Sequence, residues 1–276
     1  MNLVVQGADV DTVALKALAK LTAARGIEQV TAESFRLLGA QPVEGIAAHC
    51  AAAALDWAWI EDGRRLSDFG LFVTDMDSTL INIECIDEIA DMQGLKAEVA
   101  AITEAAMRGE IDFRESLTRR VALLAGLPET ALEAVYRERL QLNPGAERLL
   151  KGLQAAGITT VLVSGGFTYF TSRLQQHLGF DHAYANVLEV TDGRLTGRVV
   201  GDIVDGAAKA AHLVRLRDQL GLAPAQVIAA GDGANDIPML SAAGFGVAYR
   251  AKPVLRAVAS CCLDHVALDG ILKFFD

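Results

Sequence analysis

Five residues, Asp75-Met76-Asp77-Ser78-Thr79, follow directly on the apolar run Gly70-Leu71-Phe72-Val73-Thr74. That order sets two carboxylates two positions apart at the C-terminal end of a predicted buried strand, where open α/β sheets bind their ligands. A second acidic cluster, Gly231-Asp232-Gly233-Ala234-Asn235-Asp236, follows the apolar run Val227-Ile228-Ala229-Ala230. Carboxylates converging from two parallel strand ends make a hard, oxygen-rich site suited to Mg²⁺ and so to phosphoryl transfer. Asp-x-Asp by itself is as often a solvated turn, so the company it keeps decides the matter. Ser164-Gly165-Gly166 closes a third apolar run, Thr159-Thr160-Val161-Leu162-Val163, and Lys209 stands early in an alanine-rich helical stretch. A hydroxyl at a strand end, glycines that let backbone approach phosphate, and a compact cation complete the set.

Taken in this fixed order, the four motifs resemble the haloacid dehalogenase-like hydrolases over residues 66–276. The resemblance implies an α/β fold: a Rossmann-like doubly wound parallel sheet as core, with an inserted helical cap. It also implies roles. Asp75 attacks phosphorus and carries an aspartyl phosphate, while Asp77 protonates the leaving oxygen and later activates water. Spacing alone does not say which Asp attacks. Mg²⁺ would be held by Asp75, the backbone carbonyl of Asp77 and Asp232, with Asp236 supporting them. Ser164, Gly165, Lys209 and Asn235 would bind the phosphate. Phosphate monoesters demand such a set, because enzymes accelerate their hydrolysis by up to ~10²¹-fold, about 28 kcal/mol of barrier.

Two further segments, Ile83-Glu84-Cys85-Ile86-Asp87 and Phe113-Arg114-Glu115-Ser116-Leu117-Thr118-Arg119-Arg120-Val121, resemble the phosphoserine phosphatase branch of that family. By that resemblance Glu84 receives a substrate ammonium, Arg120 clamps a carboxylate, and Met107 and Phe113 line or shield the pocket. An arginine fork suits a carboxylate, and a glutamate suits an amine. The plainer assignments are an Arg120–Glu115 pair on a helix surface and core packing for Met107 and Phe113. The implied activity is Mg²⁺-dependent hydrolysis of O-phospho-L-serine to L-serine and phosphate, the last step of serine biosynthesis. The alternative within the same chemistry is a phosphatase or phosphotransferase for another small phosphorylated amino acid, such as phosphohomoserine. A non-catalytic ligand-binding protein is the rival from another class, and the intact Asp75 and Asp77 argue against it.

These residues need elements to hold them. Residues 1–65 predict a small α/β module: a strand at Leu3-Val4-Val5, a helix over Val10–Ala24, a strand over Gln29–Phe35 and a helix over Val43–Leu55. The start resembles a shortened ligand-binding ACT domain, and a homodimer contact is the other expectation for it. Glu61-Asp62-Gly63-Arg64 marks the boundary. The core then takes 66–82 and 142–276, and the cap 83–141, with helical periodicity in Ile86–Met92, Lys96–Arg108, Phe113–Leu124 and Pro128–Leu140. The cap is expected to close as a unit on hinges at 80–84 and 141–145. Pro144 is expected in a helix's first turn, and Thr191-Asp192-Gly193-Arg194 to turn a hairpin within Val187–Val199.

Composition narrows the classes. The chain has 276 residues, 52% hydrophobic and 25 of them glycine, and a net charge of −10 that excludes a nucleic-acid partner of the usual basic kind. Met1-Asn2-Leu3-Val4-Val5 lacks the basic start of a secretory signal. The longest apolar stretch, Ile46–Ile60, contains His49 and Asp56 and is too short to span a bilayer. Cys50, Cys85, Cys261 and Cys262 show no metal-type spacing and suit a reducing cytoplasm.

Overall fold

The computed structural model describes residues 1–275. The first stretch folds as β1 (Asn2–Gln6), α1 (Thr12–Leu21), β2 (Gly26–Thr31), β3 (Ser34–Leu38), α2 (Ile46–Ala52) and β4 (Asp56–Ile60). Its strands run antiparallel in the order β2-β3-β1-β4, the split β-α-β topology. Leu3, Val5, Leu15, Leu18 and Ile46 pack between this sheet and its helices. Val4, Ala58 and Ile60 face the other way, into the main core. The single strand expected over Gln29–Phe35 is a hairpin instead. No Asn-Gly or Asp-Gly announces it; Thr31 Oγ1 accepts the Glu33 amide at 3.2 Å and turns the chain with a hydroxyl. Both halves of the split β-α-β unit are therefore present.

The chain continues through β5 (Leu71–Thr74) into α3 (Cys85–Met92), α4 (Lys96–Met107), α5 (Phe113–Ala122) and α6 (Thr130–Glu138). It returns through α7 (Ala146–Ala155), β6 (Thr159–Phe167), α8 (Thr168–Leu178), β7 (His182–Thr191) and β8 (Arg194–Val200). It finishes with α9 (Gly206–Gln219), β9 (Val227–Gly231), α10 (Ile237–Ala242), β10 (Phe245–Tyr249), α11 (Pro253–Arg256), β11 (Cys261–Leu263) and α12 (Gly270–Lys273). Strands β11-β10-β9-β5-β6-β7 are parallel, so the chain winds outward from β5 first on one side and then on the other. Leu149, Phe170 and Ile271 cover one face, and Leu213, Leu216 and Met239 the other. Every residue of β5 is accordingly buried. Reversal of winding opens a crevice beyond the ends of β5 and β9.

Two seams extend this core. β8 pairs with β7 through the expected hairpin, whose turn has Asp192 at φ 51° and Gly193 at φ 72°. On the far side Cys262 of β11 pairs with Trp57 of β4, which joins everything into one eleven-stranded sheet. Asp56 stitches that seam, accepting the amides of Asp264, His265 and Val266, each at 2.9 Å. Among the described residues no helix is long and apolar enough to cross a membrane.

The helices α3 to α6 form the cap, rooted where Asn143 Nδ2 donates to the carbonyls of Thr79 (2.8 Å) and Ile81 (2.9 Å). Gly145, left-handed at φ 84°, caps α7 with Asp269 packed where a Cβ would stand. Pro144 therefore sits ahead of that cap rather than in the first turn. The far end of the cap is also tied. The Gly126 amide donates to Leu195 O (2.8 Å), that of Leu195 to Leu127 O (2.8 Å), and that of Glu129 to Gly193 O (2.9 Å). Closure of the whole cap on root hinges would break these bonds to β8 and its turn. The stretch with no backbone bond to the core, among the described residues, is α4, which buries only Val99, with the start of α5.

Candidate active site

Asp75 leaves the end of β5 with its amide donating to Ala230 O (3.0 Å), which fixes it against β9. Its carboxylate is buried, and Oδ1 accepts both the Met76 amide (2.7 Å) and Lys209 Nζ (2.8 Å). Lys209 comes from the first turns of α9 and is itself 0% exposed; its ammonium also bonds Asp236 Oδ1 at 2.8 Å. Asp236 Oδ2 accepts the amides of Asp232 and Gly233, both at 3.1 Å. Both Asp236 oxygens are thus spent on bracing the loop and the lysine. Gly231 allows this, since a Cβ there would lie 2.5 Å from the Asp236 carboxylate carbon.

Asp75, Asp232 and Asp236 bring one carboxylate oxygen each to within 4.8 Å of one another. Burial pushes the Asp75 carboxyl well above its ordinary value; Asp236 adds to this and Lys209 opposes it. Asp232 is pushed up to about 6 by burial, then by Asp236 and Glu84. Burial works against the Lys209 charge, yet Asp236 and Asp75 hold it above the ordinary lysine value. Three carboxylates face one buried ammonium, with the exposed Lys252 near the Gly233 loop as a second, outer cation acting on Asp232, which leaves surplus negative charge in the crevice. The donor set, all oxygen, suits a divalent cation that would cancel the surplus. Asp75 Oδ2 and the Asp232 carboxylate have oxygens to offer it, the latter's Oδ1 meeting only the Thr79 hydroxyl at 3.4 Å.

The loop after β5 aims Asp77 elsewhere. Asp77 is extended (φ −64°, ψ 135°) and Ser78 left-handed (φ 57°, ψ −4°). Asp77 Oδ2 and Ser164 Oγ each lie 3.0 Å from where a Cβ on Gly166 would stand, so that glycine is required by close approach. Ser164 Oγ accepts the Gly166 amide at 2.8 Å. Among the described residues Asp77 Oδ1 is buried without a hydrogen-bond partner, while Cys85 acts on the carboxyl through its side chain and backbone and favours the charged form. Burial, with Glu84 adding to it, raises the Asp77 carboxyl to about 8, so it carries a proton at neutral pH. Phe113 packs its ring edge on Gly165, and Asn235 lies against Gly206 at the start of α9.

Glu84 occupies the N-cap of α3 yet makes no cap bond; it accepts the Ser78 hydroxyl at 2.8 Å instead. Its charge acts on both Asp77 and Asp232, which sets it at the crevice. Arg120 does not pair with Glu115, because Arg119 does. Burial lowers the Arg120 pKa, while Asp87, Glu84 and Asp77 in that order support its charge. Arg120 therefore lies within electrostatic reach of the same crevice, its Nε donating to Ser116 O on its own helix at 3.4 Å. Met107 is 75% exposed at the end of α4, a helix with little burial to draw it inward. Two positioning residues escaped the sequence: Asn143 at the cap root, and Asn186, which donates to Gly165 O (2.8 Å) and accepts the Val204 amide (2.8 Å). A polar residue inside the strand-like run Tyr184-Ala185-Asn186-Val187-Leu188 was the available signal.

Residues 72–241 match the family described as haloacid dehalogenase-like hydrolase, and residues 3–46 a domain of unknown function, DUF4072. A phosphoserine phosphatase of Polaromonas sp. (strain JS666) is 57% identical over 214 residues, covering 76% of this chain and 91% of that relative. The unliganded crystal structure of a probable phosphoserine phosphatase from Vibrio cholerae superposes with a TM-score of 0.87 at 38% identity, covering 99% of this chain and 86% of that one. A phospho-aspartyl intermediate analogue of phosphoserine phosphatase gives a TM-score of 0.70 at 40% identity, covering 75% of this chain and 99% of that one. The chain belongs to the haloacid dehalogenase-like hydrolase family, alongside the phosphoserine phosphatases.

Proposed function

We propose that the chain is a Mg²⁺-dependent phosphatase that hydrolyses O-phospho-L-serine to L-serine and phosphate through an aspartyl phosphate on Asp75. The observation that carries it is one crevice holding two kinds of group. Asp75, Asp77, Asp232 and Lys209 suit the phosphoryl end of a substrate, while Glu84 and Arg120 offer opposite charges to an amine and a carboxylate. The phosphoserine phosphatase relatives support the same substrate.

With Oδ1 pinned by Lys209 and the Met76 amide, the Asp75 carboxylate attacks phosphorus from a fixed position. The P–O bond to serine breaks, and the proton on Asp77 goes to the departing oxygen. Asp77, now a carboxylate, takes a proton from the water that attacks the aspartyl phosphate, which releases phosphate and restores both acids. Ser164 and the lysine ammonium donate to the phosphoryl oxygens, with Gly165 and Asn235 beside them. Mg²⁺, held by Asp75, the Asp77 carbonyl and Asp232, would neutralise charge on those oxygens; Asp236 braces its ligands. A solved relative described as a phospho-aspartyl intermediate analogue supports the covalent step. The four cysteines are unpaired, three of them buried, which fits a reducing cytoplasm and serine biosynthesis there.

The test compares two substrates. Arg120→Ala should lower turnover of phosphoserine by roughly 30- to several-thousand-fold, because an unpaired carboxylate in a closed pocket costs about 2–5 kcal/mol. An aryl phosphate, with no carboxylate to hold, should scarcely be affected. Acid quenching during turnover should trap phosphate on Asp75. Equal losses on both substrates would reduce the assignment to an unspecified small-molecule phosphatase.

A further inference from the structure

Between its two backbone ties the cap meets the core through side chains. At the start of α5 the Asp112 carboxylate accepts the Glu115 amide at 2.8 Å and fixes the helix's first turn. That turn sets Phe113 over Gly165 and sends Arg114 across to the core. Arg114 Nε donates to Asp205 Oδ2 at 2.7 Å, and its Nη2 to Ile203 O at 3.4 Å. The other oxygen of Asp205 accepts the Ala208 amide at 2.9 Å, as N-cap of the helix that carries Lys209. One carboxylate thus fastens this stretch of the cap to the lysine's helix. Arg119 and Glu115, one turn further on, fasten α5 only to itself.

We propose that Arg114 and Asp205 form the latch of a flap, α4 with the first turn of α5, whose opening uncovers Gly165 and the phosphate end of the crevice. The proposal rests on the function above for the identity of what enters there. Three observations set it apart from an ordinary surface pair. It joins residues 91 positions apart, it is seconded by the Ile203 carbonyl, and it lies beside the ring that covers Gly165. With side-chain exposures of 54% and 18%, it is weak enough to break in every cycle. A pair of this exposure shifts an equilibrium by about two- to five-fold and is screened by salt. Substrate entry and product release both cross this flap, so a weak latch loses little speed at either step.

Asp205→Asn is the discriminating variant, since asparagine still caps α9 while the charge is lost. Arg114→Gln removes the other partner, and Arg119→Gln is the control. Hydrogen exchange of the ligand-free protein should show amides of residues 96–116 exchanging about two- to five-fold faster in Asp205→Asn and Arg114→Gln. Exchange at 126–129 should be unchanged. For phosphoserine, KM should rise by a similar factor and depend less steeply on ionic strength. The double variant should be no worse than either single one, the mark of a coupled pair. Parent-like flap exchange in both variants would overturn the latch. So would Asp205→Asn lowering kcat on phosphoserine and aryl phosphate alike without faster exchange, because Asp205 would then serve only its helix. A parent protein inactive on phosphoserine would sink the functional proposal instead, and the exchange data would still decide the latch.

Discussion

Replacing Lys209 with methionine removes one charge from the centre of the crevice while keeping the length of the side chain. The ammonium is 0% exposed and lies 2.8 Å from both Asp75 and Asp236, so water does not screen the pair. Breaking a buried pair from one side costs about 3–5 kcal/mol, because a carboxylate is left charged and dry. For a chain of this size each kcal/mol is worth about 2–4 °C, so Tm should fall by roughly 6–20 °C at pH 7 in metal-free buffer. The loss should shrink at pH 5. Asp75 already sits well above the ordinary aspartate value, and without the lysine it binds a proton more readily still, which discharges the cavity. Mg²⁺ should recover part of the loss at pH 7, since a dication can serve the same carboxylates. Calorimetry of parent and Lys209→Met at both pH values, with and without Mg²⁺, measures all three effects. A shift under about 3 °C, or the same shift at both pH values, would refute the claim that this lysine neutralises the cluster.

The pH dependence of the parent follows from the same cluster. Asp77 must carry a proton to act as the acid, so kcat/KM should fall as pH rises through about 8, and a profile flat to pH 9 would contradict that role. Asp77 and Asp232 are raised above an unfolded value of about 3.9, so the native state holds protons that the unfolded chain has released. Their contribution to stability is complete below that value and is lost as pH rises through about 6 for Asp232 and about 8 for Asp77. The Tm gained by adding Mg²⁺ should therefore be larger at pH 8 than at pH 5, and the reverse trend would count against metal binding by these groups. Asp56→Ala strands the amides of Asp264, His265 and Val266 at the sheet seam. It should cost about 3 kcal/mol, or roughly 6–12 °C, with kcat unchanged; a shift under 2 °C would mean the seam is held by other contacts.

The strands under the site could be read because each is an apolar run that ends abruptly in acid or Ser-Gly-Gly, and burial on both faces leaves such a run no other place. The cap helices could be read from their period. Lys209 was placed by its order among motifs, since an alanine-rich helix offers no hint that the lysine is buried. Its burial is set by two carboxylates arriving from the ends of β5 and β9. The β2–β3 hairpin was missed because a threonine hydroxyl turned it where glycine or asparagine was expected. The cap's second tie was missed for a different reason. Backbone bonds from Gly126, Leu127 and Glu129 to β8 and its turn depend on main-chain groups, which carry no sequence signature. The exposure of Met107 could not be read, because an apolar side chain at a helix end says nothing about which way that end faces.

The pairing of β4 with β11 has a consequence for how the chain assembles. Trp57 meets Cys262, Asp56 waits for the amides of Asp264, His265 and Val266, and Gln6 donates to Gly270 O at 2.9 Å. During synthesis strands β1 to β4 emerge and can fold long before those downstream partners exist. Throughout that interval β4 is an open sheet edge, and Val4, Ala58 and Ile60 are an uncovered apolar face. Such an edge invites pairing with another chain. Closing it requires contacts of very long sequence separation, which form slowly. The nascent protein therefore passes through a stage in which the sheet of β1 to β4 is exposed to misassembly, and the stretch around residues 261–270 ends that stage by supplying the missing neighbour strand.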